Sequence, residues 1–108
     1  MPPNMSSEIM VIKTTLPEEF REFEVTSFSQ SLVGSGASCV THHLVTSTYE
    51  WEGEIISNKE WSLSVKLSKS KTEDVIDKIK QIHPYEIPQL LFSSWNSSPE
   101  YYSWIESN

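Results

Sequence analysis

The heptapeptide Ile82-His83-Pro84-Tyr85-Glu86-Ile87-Pro88 sets an imidazole, a phenol and a carboxylate within four residues, flanked by two prolines. Proline fixes φ, so a turn built this way presents its polar groups with little conformational freedom left to lose. A neutral imidazole and a carboxylate are both ligands for Zn(II) or Cu(II), which makes His83 and Glu86 candidate metal ligands. Two protein ligands hold a metal weakly, and a strong site needs donors from elsewhere. The same side chains also suit a structural role, hydrogen-bonding around the turn. Spacing alone leaves both readings open.

A second cluster, Cys39-Val40-Thr41-His42-His43, offers soft and borderline metal ligands. In an extended strand at about 3.3 Å per residue, Cys39 and His43 share a face but stand about 13 Å apart, and His42 points the other way. One ion cannot be chelated by that set, so Cys39 is expected to be buried and unreactive. Gly34-Ser35-Gly36 is a G-x-G, but it follows a helical stretch instead of opening one, which reads as C-terminal punctuation. G-x-S-x-G, Walker, H-E-x-x-H and C-x-x-C motifs are absent, and three glycines leave little room for phosphate-cradling loops. An enzyme is not expected.

The chain of 108 residues fits one domain. Eight Lys and Arg against fifteen Asp and Glu give a formal charge of −7, the wrong sign for a nucleic-acid partner. A single cysteine excludes an intrachain disulfide and fits a reducing compartment. No run approaches the roughly 18 apolar residues that span a bilayer. The opening MPPNMSSE has neither basic residues nor an apolar stretch, so residues 1–8 read as a loose tail, residues 9–108 as the domain, and the location as cytoplasmic.

These residues need elements to hold them. Ile9 to Ile12 reads as a strand buried on both faces. Thr15-Leu16-Pro17-Glu18 has the form of a capping box, which predicts a helix with Phe20, Phe23, Phe28 and Leu32 near one face. Ser38 to Ser68 is rich in Thr, Val and aromatics, with strict apolar–polar alternation from Trp61 to Ser68, and predicts a long hairpin turning near Gly53. Ser70-Lys71-Thr72-Glu73 is a second capping box, followed by a helical stripe of Val75, Ile76, Ile79 and Ile82 that His83-Pro84 ends. Gln89 to Phe92 reads as a fourth strand. Ser98-Pro99 caps a last helix in which Tyr101, Trp104 and Ile105 share a face. The order βαββαβ plus a helix predicts an α+β, ferredoxin-like fold.

Length makes the hairpin informative. An arm of about fourteen residues runs about 46 Å, whereas a domain of this size has a radius of gyration near 13 Å. The tip therefore projects, carrying Trp51 and Ile55 into water unless another copy of the chain covers them. Oligomerisation is the expectation.

The HPYEIP segment resembles the CutA family, named for divalent-cation tolerance. "TTLPEEF" is similar to that family's strand-to-helix start and "GASCV" to its strand entry, with Ser38 where alanine is commoner. "STYEWEGEI" is similar to its hairpin tip, and "YYSWI" to its C-terminal Y-x-x-W-[IL]. The resemblance spans about residues 9–106. It implies a homotrimer built through extended strands and a non-enzymatic, weakly metal-binding protein for copper or zinc, with His83 as the histidine ligand. A cysteine that some bacterial members carry at the end of the first strand is Thr14 here, while the family's second-strand cysteine is Cys39. The alternative is a trimeric signalling or scaffold module binding a small metabolite or protein in clefts between subunits, with Tyr85, Cys39, Trp51 and Lys66 at the cleft or interface.

Overall fold

Alternation along the first strand decides how the sheet is covered. In the computed structural model, which describes residues 7–108, β1 runs Glu8–Pro17. Ile12, Thr14 and Leu16 point to one face and are fully buried, while Ile9 and Val11 are buried on the other. Three elements supply the covers. Helices α1 (Glu22–Gly34) and α2 (Thr72–Ile82) pack on the first face through Val25, Phe28, Leu32, Val75 and Ile79. Helix α3 (Pro99–Glu106) closes the second face, setting Ile105 and Tyr102 against Ile9 and Val11. The expected two-sided burial of Ile9–Ile12 follows from this double cover.

The sheet has the order β2-β3-β1-β4, with β2 Cys39–Trp51, β3 Glu54–Leu67 and β4 Leu91–Asn96, all neighbours antiparallel. This is the ferredoxin-like βαββαβ arrangement with a C-terminal helix. The hairpin turns at Glu52 and Gly53, both at positive φ (51° and 83°), the pair of left-handed conformations that matches the twist of a tight two-residue turn. That turn pairs Trp51 with Glu54 and fixes Val45 opposite Glu60. Beyond Pro17↔Glu60, β3 loses β1 as a neighbour, so Glu54–Lys59 and the matching part of β2 form a bare two-stranded ribbon. The molecule is accordingly elongated, 49 × 29 × 21 Å, with a radius of gyration of 15.3 Å.

Several boundaries differ from the sequence reading. Thr15-Leu16-Pro17-Glu18 does not cap a helix. Thr15 and Leu16 pair with Ser62 and Trp61 instead, and Leu16 is fully buried, so the sheet claims the segment. The first helix starts at Glu22, where the Arg21 backbone N–H donates to Glu24 Oε1 at 3.0 Å. Phe23 falls off its buried face and is 63% exposed, and Val25 takes the core position. Ser70 lies inside a 3-10 turn, Lys69–Lys71, that precedes α2, and its expected capping bond is not formed. The fourth strand is shifted to Leu91–Asn96, where Glu8–Lys13 of β1 provides its partner. Ser98 caps α3 as expected, its Oγ accepting from the Tyr101 N–H at 3.2 Å. The fold opens before Ile9: Ser7 is buried, its carbonyl accepts from the Ser97 N–H at 2.7 Å, and Glu8 starts β1. The rest of the expected tail, residues 1–6, lies outside the described residues.

Candidate functional site

His83 follows α2 because Pro84 forbids another helical turn, and its N–H still closes on the Ile79 carbonyl at 2.9 Å. Its ring turns inward and only 8% of the residue is exposed. Nε2 lies 2.7 Å from the Thr15 carbonyl, and Nδ1 lies 3.0 Å from the Tyr85 backbone N–H. A carbonyl only accepts and an amide N–H only donates, so the ring is neutral with its proton on Nε2. Phe28 meets it edge-on at 6.0 Å. Burial holds its pKa below 6.5, with the bond to Thr15 pulling the other way. His83 therefore ties three elements together: the end of β1, helix α1 and the turn itself.

Both ring nitrogens are engaged, so a metal would have to displace one of these bonds. Glu86 is exposed on the far part of the turn. Among the described residues no three His, Cys, Asp or Glu side chains converge on one point. Thr14 is buried in the helix-side core, its hydroxyl without a hydrogen-bond partner among the described residues. Within one chain the geometry of His83 is that of a latch.

Tyr85 points elsewhere. It lines a cleft of about 770 Å³ on the sheet face opposite α1 and α2. The cleft is walled by the turn after β1 (Glu18, Glu19), by the outer face of the ribbon (Ser47, Tyr49, Trp51, Ile56, Asn58, Glu60) and by Tyr85 and Ile87. Strand parity explains the ribbon's share, because odd positions of β2 and even positions of β3 face the same way. Asn58 Nδ2 donates to the Tyr49 hydroxyl at 3.0 Å, and Ser47 Oγ donates to Glu60. Desolvation raises the Tyr85 phenol above its usual value, and Glu19, Glu60 and Tyr49 add to the rise.

The expected site residues thus separate. Tyr85 and Trp51 share the cleft. Cys39 and Lys66 pair with each other at the other end of the hairpin, beside α3, where both are half-buried. The expectation of a buried Cys39 is corrected to half-buried, since this face of β2 is only partly covered. Twelve residues of strand separate Cys39 from Trp51, about 40 Å. His42 lies on the helix side, Nε2 2.9 Å from Glu22 Oε2 and edge-on to Trp61, whereas Cys39 and His43 lie on the outer face. Glu18, Glu19, Tyr49 and Glu60 were not singled out from the sequence as site residues. The signal was present: fixing the tip at Glu52-Gly53 fixes the register, which brings Tyr49 and Glu60 onto the Trp51 face.

The comparisons with known proteins agree with this architecture. Residues 9–108 match the family model described as CutA1 divalent ion tolerance protein. The divalent-cation tolerance protein CutA of Thermotoga maritima is 26% identical over 101 residues, covering 93% of this chain and 98% of that one. The protein of the same name from Salmonella newport is 29% identical over 103 residues, covering 94% and 88%. Among solved structures, CutA from Synechococcus elongatus superposes with a TM-score of 0.84 at 24% identity, covering 96% of this chain and 92% of that one. CutA1 from Ehrlichia chaffeensis gives 0.79 at 26% identity, covering 92% of each chain. A family match over nearly the whole chain, joined to the ferredoxin-like sheet and the overlong hairpin, places this protein in the CutA1 divalent ion tolerance family.

Proposed function

We propose that the chain works as a homotrimer in the cytoplasm and that its ligand binds in the cleft under the HPYEIP turn, completed by a neighbouring subunit. One observation carries the reading. The ribbon projects with Trp51 and Ile55 61% and 80% exposed, and among the described residues no strand lies beside its Glu54–Lys59 edge. Open edges and exposed apolar tips invite pairing with another chain. At the other margin of the sheet, β4 is also an edge strand, with Leu91, Phe92 and Trp95 each more than half exposed. Six residues of bare ribbon and six of β4 are matched in length. Sedimentation equilibrium tests the assembly. The expected mass is three times the 12.4 kDa of one chain, and a stable monomer refutes it.

The family description supports a second reading, in which each subunit binds copper or zinc weakly through His83 and Glu86. Cu(II) binds most exposed imidazoles, so binding alone decides little. Calorimetry on His83→Ala and on a His42→Ala/His43→Ala double variant decides more. If His83 is a ligand, its loss removes one event per chain and the double variant keeps it. With both ring nitrogens hydrogen-bonded, we expect the reverse: the double variant loses copper and His83→Ala keeps it.

A further inference from the structure

We propose that the cleft takes a small organic cation, an amine or quaternary ammonium group held between carboxylates and aromatic faces. This rests on the reading of that cavity as the ligand cleft. The sign of the lining comes first. Glu18, Glu19 and Glu60 face the cavity against a single cation, Lys59. Among the described residues none of the three carboxylates is in an ion pair within the chain. Among the described residues Glu60 accepts one side-chain hydrogen bond, from Ser47.

The aromatic content narrows the class. Tyr49, Trp51 and Tyr85 line the same cavity. The negative face of such a ring attracts an ammonium group, and tryptophan does so best. A neutral apolar ligand would use the rings and leave desolvated carboxylates without partners. An anion would meet three like charges. A bare divalent ion gains nothing from aromatic faces, and among the described residues no three acidic, His or Cys side chains converge on one point. The volume, about 770 Å³, is that of a site for a small molecule and far exceeds what an ion fills. The negative field is also visible at Tyr85, whose phenol resists ionisation through desolvation and then through Glu19, Glu60 and Tyr49.

The test titrates the intact protein at physiological salt with benzyltrimethylammonium, using benzyl alcohol as the neutral counterpart and magnesium chloride as a control for unspecific charge. The expected result is saturable heat with the ammonium probe, at least tenfold weaker binding of benzyl alcohol, and little displacement by magnesium. Trp51→Leu is expected to weaken the probe tenfold or more. Glu19→Gln, an isosteric change on an exposed turn that leaves the ribbon intact, is expected to weaken it threefold or more. Equal affinity for benzyl alcohol, displacement of the probe by equimolar magnesium, or unchanged binding in both variants overturns the proposal. Sedimentation of the same samples separates this from the assembly reading. A trimer that ignores the probe overturns the organic-cation assignment and leaves the assembly standing. A monomer that binds the probe through Trp51 keeps the assignment and overturns the assembly. A monomer that ignores it overturns both.

Discussion

Replacing His83 by alanine removes two hydrogen bonds and a ring packed against Phe28. The bonds, at 2.7 Å to the Thr15 carbonyl and 3.0 Å from the Tyr85 N–H, contribute about 0.5–1.5 kcal/mol each, and stranding the buried Thr15 carbonyl costs about 1–3 kcal/mol. These terms overlap, so the expected loss for His83→Ala is about 2–4 kcal/mol. The assay is urea unfolding at one fixed protein concentration, because the stability of the proposed trimer would depend on concentration. His83→Gln retains a donor and is expected to recover part of the loss. Protonation offers a second perturbation of the same group. A proton can enter only at Nδ1, where it evicts the Tyr85 N–H. Burial lowers the folded-state pKa below 6.5, so just below 6.5 the unfolded chain binds more protons than the folded one. The contribution of His83 is thus intact above 6.5, declines as pH falls through that value, and stops declining once pH passes the lowered folded value. Wild type is expected to lose stability across this window, and His83→Gln to show a flatter profile. An alanine variant within about 1 kcal/mol of wild type, or parallel pH profiles in the two proteins, would refute the latch.

Ile55→Asp at the ribbon tip is expected to push the sedimentation profile toward smaller species, while circular dichroism shows the subunit's secondary structure kept. Gly36 combines a φ of +123° with the Lys71 side chain 3.1 Å from where a Cβ would stand, and Gly53 has a φ of +83° with open space around it. Gly36→Ala is therefore expected to cost more than Gly53→Ala, whose penalty is backbone strain alone at about 1–2 kcal/mol; thermal melts at matched concentration rank them. Ser98→Ala removes the α3 cap and is expected to cost about 1 kcal/mol, with Trp104 fluorescence as a local reporter.

The parts of this fold legible in the sequence are those where local chemistry and tertiary packing agree. The alternation from Trp61 to Leu67, the stripe from Val75 to Ile82 and the Ser98 cap all appear as read. Where they disagree, packing wins. Thr15-Leu16-Pro17-Glu18 satisfies a helix-start pattern, yet Leu16 has a fully buried place waiting opposite Trp61. The polar run Ser93-Ser94-Trp95-Asn96 carries little strand signal, and only β1 beside it makes it a strand. For the site, the HPYEIP turn drew attention for a sound reason, since His83 is pivotal there. Its role depends on Thr15, 68 positions away, and no local spacing discloses that. Glu18, Glu19 and Glu60 looked like ordinary surface acids until the register joined them.

The central place of β1 in the sheet has a consequence for the order in which the chain acquires structure. The ribbon is a local unit whose two strands follow directly on each other, and with β1 it can pair once residue 67 has emerged from the ribosome. The second edge of β1 waits for Leu91–Asn96, and its outer face waits for Ile105. Nascent chains thus display the projecting ribbon before their own sheet is complete, and local pairings form faster than those that close long loops. Pulse-labelled hydrogen exchange is expected to find ribbon amides protected ahead of those in β4; the opposite order would exclude this sequence of events. If the chain assembles as proposed above, this order has one subunit meet the next while each is still unfinished.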